Sequence, residues 1–248
     1  MLPSRHHVSA AAHESVPHAN PLSVTQMAEL ADWAIRRHPS RAIDIGCGPG
    51  SFSVALASRT SVDVRAIDLN PAFIERGKST ARGAILAGKI EFLERALQED
   101  EGGPFDLVVC IGSSGAMGTP REALLRCKRL LAFNGTLVFA ELVWTTQPSE
   151  EFLAFLGIDS AYYWLQSGGE QVFAQCGLSL DHQCEASRES WEKYELAVLD
   201  GRLKLAASLA DDAGESVRSR ARVWYANFEK HGRLHFGFNA YVARHAEA

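Results

Sequence analysis

A doubly wound parallel α/β sheet is the fold this sequence predicts, and three observations carry the prediction. Strand-length apolar runs alternate with segments of helical periodicity through residues 23–143. The run Leu107-Val108-Val109-Cys110-Ile111 is apolar at every position, as a strand becomes when crossover helices cover both of its faces. Between the first strand and the next helix stands a glycine turn, Asp44-Ile45-Gly46-Cys47-Gly48-Pro49-Gly50, where such a sheet presents bare backbone N–H groups to a nucleotide-like ligand.

Residues 1–22 carry His6, His7, His13 and His18 at irregular spacing among Ser and Ala, which reads as a mobile N-terminal tail and not as a metal site. From Ser23 to His38 the apolar residues Val24, Met27, Leu30, Ala31, Ala34 and Ile35 recur every three or four positions. Ser23 is placed to cap this entry helix and Pro39 to stop it. Strands follow at Ala42–Ile45, Val62–Ile67, Ile90–Leu93, Phe105–Ile111 and Thr136–Val143, with helices at Ser51–Ser58, Pro71–Ala87 and Pro120–Leu131 between them. Beyond Val143 the pattern loosens into an aromatic-rich helical segment. A helix end at Gln171–Cys176 and a strand at Leu178–Ala186 come next, then a long helical stretch from Ser190 to Lys230 and a last strand at Leu234–Val242. With no internal repeat or low-complexity linker, residues 23–248 read as one domain carrying cap insertions at about 145–170 and 188–232.

Composition narrows the function classes. The 248 residues are 46% hydrophobic, enough for a sizeable core, and the formal charge of −5 comes without any long Lys/Arg run, so nucleic acid is not an expected partner. No apolar run reaches the roughly 20 residues of a membrane span, and the N-terminus lacks a signal-peptide core, so a cytoplasmic protein without a membrane partner is expected. Five cysteines without a CxxC pair or metal-like spacing read as reduced thiols, and no metal is expected.

The glycine turn has the spacing GxGxG with Pro49 inside it, whereas a dinucleotide fingerprint would place Gly or Ala at Ser51. A dehydrogenase reading is thereby weakened, although it stays open. About twenty residues on, Asp68 ends the second strand, where a carboxylate accepts both hydroxyls of a ribose; Asp68 could instead cap the helix starting at Pro71, a task Asn70 could also perform.

DIGCGPG at Asp44–Gly50, AIDLNPAFIERGK at Ala66–Lys78, IEFLERALQE at Ile90–Glu99, FDLVVCIGSSGA at Phe105–Ala116 and LLAFNGTLVFAELVW at Leu130–Trp144 resemble the successive motifs of class I S-adenosylmethionine-dependent methyltransferases. The resemblance implies a Rossmann-like seven-stranded sheet with an antiparallel last strand beside the sixth. It also implies S-adenosylmethionine as cofactor and S-adenosylhomocysteine as product. By position, Asp44, Gly46, Cys47, Gly48 and Gly50 would border the methionine part, Asp68 would hold the ribose and Leu69 would pack on the adenine. Cys110, Ile111, Gly112 and Ser113 would line the methionine and the transferred methyl. Where the family often has an acid for the adenine amino group this chain has Ala96, leaving backbone of Ala96 or Leu97, or the Gln98 side chain, to recognise the base. The chain also resembles a bacterial small-molecule group that shares NPLS at Asn20–Ser23, GSSxA at Gly112–Ala116, an acid-x-x-Trp at Glu141–Trp144 and WxxYE at Trp191–Glu195. Gly115 stands where that group often has histidine.

Methyl transfer from a sulfonium is an in-line displacement, so alignment and exclusion of water matter most. Aromatic faces tolerate the cation, and Trp144, Tyr162, Tyr163, Trp191 and Tyr194 are candidates for the wall of an acceptor pocket. Glu141, at the end of the fifth strand, is the candidate base. Glu195 reads as a solvated helix acid; Arg233, His235 and Arg244 read as surface charge. The function expected is methyl transfer to an enclosed small molecule by a monomer or homodimer. A non-catalytic module that keeps the cofactor pocket is the alternative, and a nicotinamide dehydrogenase the weaker one.

Overall fold

The computed structural model describes residues 2–97 and 102–247. Seven strands, β1 (Arg41–Ile45), β2 (Asp63–Asp68), β3 (Lys89–Glu94), β4 (Phe105–Ile111), β5 (Leu131–Trp144), β6 (Leu178–Glu185) and β7 (Phe236–His245), form one sheet in the order β3-β2-β1-β4-β5-β7-β6. β7 lies antiparallel between β5 and β6, with Glu141 opposite Asn239; the pairs among β1 to β5 are parallel. Strand order reverses between β1 and β4, so their C-terminal ends, Ile45 and Ile111, flank the switch point where a crevice opens above such a sheet.

Alternation along each strand feeds two layers of core. Leu107, Val109, Val138 and Ala140 face one side with Leu30, Leu56 and Trp144, while Val108, Cys110, Leu137 and Phe139 face the other with Phe173 and Tyr241. That two-sided burial is why β4 reads as an unbroken apolar run.

Helix α1 (Arg5–Ala12) precedes α2 (Val24–Ile35), which begins with a reciprocal capping box between Ser23 and Gln26 and buries Met27, Leu30, Ala31 and Ala34. α3 (Ser51–Arg59) follows the glycine turn. α4 (Pro71–Arg82) is capped by Asn70 and stops short of the expected Ala87, because the N–H groups of Ala87 and Gly88 both donate to Ala57 O, at 2.8 and 2.9 Å, to lead the chain into β3. α5 (Pro120–Leu130) has its own capping box from Thr119 and Glu122. α6 (Glu150–Leu156) lies within the segment 145–170, and α7 (Gly169–Gln175) begins at its end. The single helical stretch expected from Ser190 to Lys230 is two packed helices, α8 (Arg188–Ser208) and α9 (Asp211–Asn227), broken where Leu209 and Ala210 adopt extended backbone.

The N-terminal segment corrects the expectation of a mobile tail. Ser4 caps α1, and α1 packs on α8 at Gly201, where a Cβ would stand 2.3 Å from Ala11 O; only a glycine permits that approach. Further along, Arg76 of α4 donates to the carbonyls of His13 and Val16 at 2.8 and 3.1 Å, and Asn70 Nδ2 donates to His6 O at 2.9 Å. Spacing of the histidines conveyed none of this, since the anchoring donors belong to α4 and its cap. Among the described residues no helix is long and apolar enough to cross a membrane.

Candidate active site

The glycine turn builds the first cavity. Gly46, Gly48 and Gly50 all have positive φ, 66°, 54° and 75°, and a Cβ on Gly46 would stand 2.3 Å from the Cβ of Ser113. Side chains are therefore excluded so that the end of β1 can abut the end of β4. Asp68 ties the turn to β2: its Oδ2 accepts from Gly48 N–H at 2.9 Å and its Oδ1 from Asn70 N–H at 2.7 Å. Ser113 Oγ donates to Ile45 O at 2.5 Å. Above these contacts lies a cavity of about 270 Å³ whose walls include Gly46, Asp68, Leu69, Ala96, Leu97, Gly112 and Ser113.

A second cavity of about 210 Å³ opens on the other side of Gly112, which lines both. Its walls come from the strand ends (Glu141, Phe236, Phe238), from α8 and α9 (Trp191, Tyr194, Glu195, Arg202, Trp224) and from the N-terminal segment (His13, Asn20, Pro21). Glu141 is 5% exposed; its Oε1 accepts from Leu142 N–H at 2.8 Å, while its buried Oε2 has no hydrogen-bond partner among the described residues. His13 Nδ1–H faces Ser9 O at 2.7 Å, which leaves Nε2 to accept from Tyr194 O–H at 2.9 Å. Glu195 Oε2 accepts from Trp224 Nε1–H at 2.9 Å.

A family model for a methyltransferase domain matches residues 43–137, the span from β1 into β5 that carries the first cavity. The structure superposes on a S-adenosylmethionine-dependent methyltransferase of Thiobacillus denitrificans, solved with S-adenosyl-L-homocysteine, with a TM-score of 0.85 and 19% identity over 99% of this chain and 100% of that one. Residues 43–137 thus match a methyltransferase domain, and the whole chain has the fold of S-adenosylmethionine-dependent methyltransferases. The chain is 23% identical over 227 residues to the uncharacterized protein YjhP of Escherichia coli K12, covering 90% of this chain and 92% of that protein. It is 28% identical over 143 residues to the tRNA1(Val) (adenine(37)-N6)-methyltransferase of Aeromonas hydrophila, covering 50% of this chain and 59% of that protein.

Burial sets the electrostatics of the site. It raises the Asp44 carboxyl from 3.8 to about 7, against the lowering effect of the Ser53 hydroxyl that donates to Asp44 Oδ2 at 2.6 Å, with the Asp68 charge adding to the rise. It raises Glu141, opposed by Ser114 and by the Leu142 N–H, and raises Glu195, opposed by the Trp224 indole and by Arg202. The His13 imidazole is lowered, chiefly by burial and then by Arg202 and Arg76, so it is held neutral. The Cys47 thiol is driven far up by burial and the two neighbouring acids, which keeps it protonated and inert. The first cavity fits an adenosyl group bearing an amino acid: a cradle that a Cβ at Gly46 would destroy, a carboxylate at the cavity wall for a diol, and apolar Ile67, Leu69 and Leu97 for a flat base.

Of the expected cofactor residues, Gly46, Asp68, Leu69, Ala96, Leu97, Gly112 and Ser113 line that cavity. Asp44, Cys47, Gly48, Gly50, Cys110 and Ile111 are not among its lining residues; Asp44 is 3% exposed beneath the turn, and Cys110 is fully buried in the core. Gln98 lies outside the described residues. Glu141, Trp191 and Tyr194 are brought together in the second cavity. Trp144 is not part of either wall: it is 1% exposed, stacked on Phe236 at 5.4 Å, with its indole N–H donating to Ser160 O. Tyr163 packs edge-on against Trp144 and Tyr162 against Tyr163, so these two support the first insertion and also lie outside the acceptor wall. Glu195, expected in solvent, is 5% exposed, because α9 folds back over α8 and brings Trp224 onto it. His235, expected on the surface, is 8% exposed, its Nδ1 within 2.9 Å of Thr146 Oγ1; Arg233 and Arg244 are engaged by Glu192 and Asp181.

His13, Arg202, Trp224 and Phe238 were not expected at the site. For His13 a signal existed, since Ser4 ahead of a Val8-Ala11-Ala12 face is a capped helix; for Trp224 no local pattern tells a cavity wall from core.

Proposed function

We propose that the protein is an S-adenosylmethionine-dependent methyltransferase that transfers a methyl group to a small molecule enclosed in the second cavity. One observation carries the reading: the two cavities share Gly112, and the second is walled by side chains from α8, α9 and the docked N-terminal segment. An acceptor there is surrounded, which suits a small molecule better than a polynucleotide, and the net charge of −5 offers no field for phosphates.

When bound, S-adenosylmethionine supplies an electrophilic methyl on a sulfonium. Asp68 would hold the ribose diol, Leu69 and Leu97 would flank the adenine, and the Gly46 backbone would admit the methionine part. Gly112, lacking a side chain, keeps open the gap through which an acceptor's nucleophile must approach. Trp191, Phe236 and Phe238 exclude water from that approach. Glu141 Oε2, buried and unpartnered, is the group that would take the proton from an O–H or N–H acceptor. Incubating the protein with S-adenosylmethionine and fractionated host metabolites should release S-adenosylhomocysteine and yield a small product heavier by one methylene in mass spectrometry. Failure of both cofactor forms to bind in calorimetry would end this reading.

A further inference from the structure

Next to the acceptor cavity lies the largest of the cavities described here, about 430 Å³, between α1, α8 and α9. His13, Arg202 and Trp224 line both, so the two spaces adjoin through a shared wall. The body of the larger one is apolar, formed by Val8 of α1, Val217 and Ala221 of α9, and the Trp224 ring. Its charged residues are all of one sign. Arg5 and Arg220 stand exposed at its rim, Arg202 lies half-buried at the junction, and no Asp or Glu among the described residues contributes to its lining.

Among the described residues none of these three arginines forms a salt bridge, and the buried Nε of Arg202 has no hydrogen-bond partner. Three guanidinium groups without a salt bridge among the described residues surround an apolar space in a chain with 30 acidic and 25 basic residues. Arg202 acts electrostatically on Glu195 without forming a salt bridge to it, and Glu195 Oε2 accepts from the Trp224 indole. A half-buried cation with no ion pair and an unsatisfied Nε costs free energy that an incoming anion recovers, and guanidinium groups match carboxylate geometry.

We infer that the methyl acceptor is an organic anion with an apolar body. Its reacting end lies at Glu141, its body passes the His13 and Trp224 wall, and its carboxylate or comparable group is held among Arg202, Arg220 and Arg5. This rests on the acceptor reading above and gives it a chemical class. The combined space falls within the range of small-molecule sites, roughly 300–1,000 Å³. α1 thereby gains a purpose beyond packing, since Arg5, Val8 and Ser9 supply one wall.

The test uses decanoate, 1-decanol and decyltrimethylammonium as probes of equal chain length and different charge, titrated calorimetrically into the full-length protein with and without S-adenosylhomocysteine. Decanoate should bind about tenfold or more tightly than decanol, and the cation should not bind. Arg220→Gln, an exposed change on α9, should weaken decanoate several-fold while leaving decanol and S-adenosylhomocysteine affinities unchanged; Arg202→Gln should weaken decanoate further. Equal affinity for decanoate and decanol, or decanoate binding insensitive to Arg220→Gln and Arg202→Gln, would overturn the inference. Loss of S-adenosylhomocysteine binding alone would instead sink the methyltransferase reading, because the decanoate measurements are made in its absence as well.

Discussion

Replacing Asp44 by asparagine should remove a pH-dependent liability from the fold. The carboxylate is 3% exposed and has the Ser53 hydroxyl as its hydrogen-bonding partner at 2.6 Å, and burial lifts its pKa from 3.8 to about 7. In the unfolded chain the group ionises near 3.8, in the folded chain near 7, so between those values the folded state holds the extra proton. Stability must then fall as pH rises through this window, and the full cost is reached above about pH 7. From about pH 5 to pH 8 the wild type crosses roughly two of the three units, a loss of about 3 kcal/mol that an asparagine, which still accepts from Ser53, does not suffer. Urea denaturation of wild type and Asp44→Asn at about pH 5 and pH 8 measures it. The variant's advantage should grow by about 3 kcal/mol at the higher pH, and subtraction removes the slopes due to Glu141, Glu195 and His13. An advantage equal at both pH values would refute the assignment of a raised, buried carboxyl.

Other changes read different parts of the site. Asp68→Ala should weaken S-adenosylhomocysteine binding by about tenfold or more, since charged hydrogen-bond acceptors contribute roughly 1.5–3 kcal/mol; unchanged calorimetric affinity would remove the ribose role. Gly46→Ala places a side chain at φ 66° and within 2.3 Å of Ser113 Cβ, so both the melting temperature and cofactor affinity should drop, and retention of both would contradict the cradle. Glu141→Gln should lower kcat while sparing S-adenosylhomocysteine affinity; because burial raises Glu141, wild-type turnover should climb with pH as the base ionises, and the variant should lose that limb. Gly201→Val drives a side chain into Ala11 O, so α1 should undock and limited proteolysis should cut faster near His13; unchanged cleavage would mean that α1 does not depend on this contact.

What the sequence determined by itself is local or carried by order along the chain. Continuous apolar strands separated by capped helices dictate a covered parallel sheet, because period and capping chemistry act within a few residues. The glycine turn followed by Asp68 was legible for the same reason: the turn closes on its own backbone, and strand register sets the acid beside it. The acceptor side was decided by tertiary structure. Trp144 and Trp191 both end or begin segments near the crevice, yet one stacks into the core on Phe236 and the other lines a cavity. Burial of Glu195 depends on α9 folding back on α8, and the seating of His13 depends on Gly201 and Arg76, which lie 188 and 63 residues away along the chain. Such contacts are settled by which surfaces meet once the sheet has formed, and no spacing within a segment encodes them.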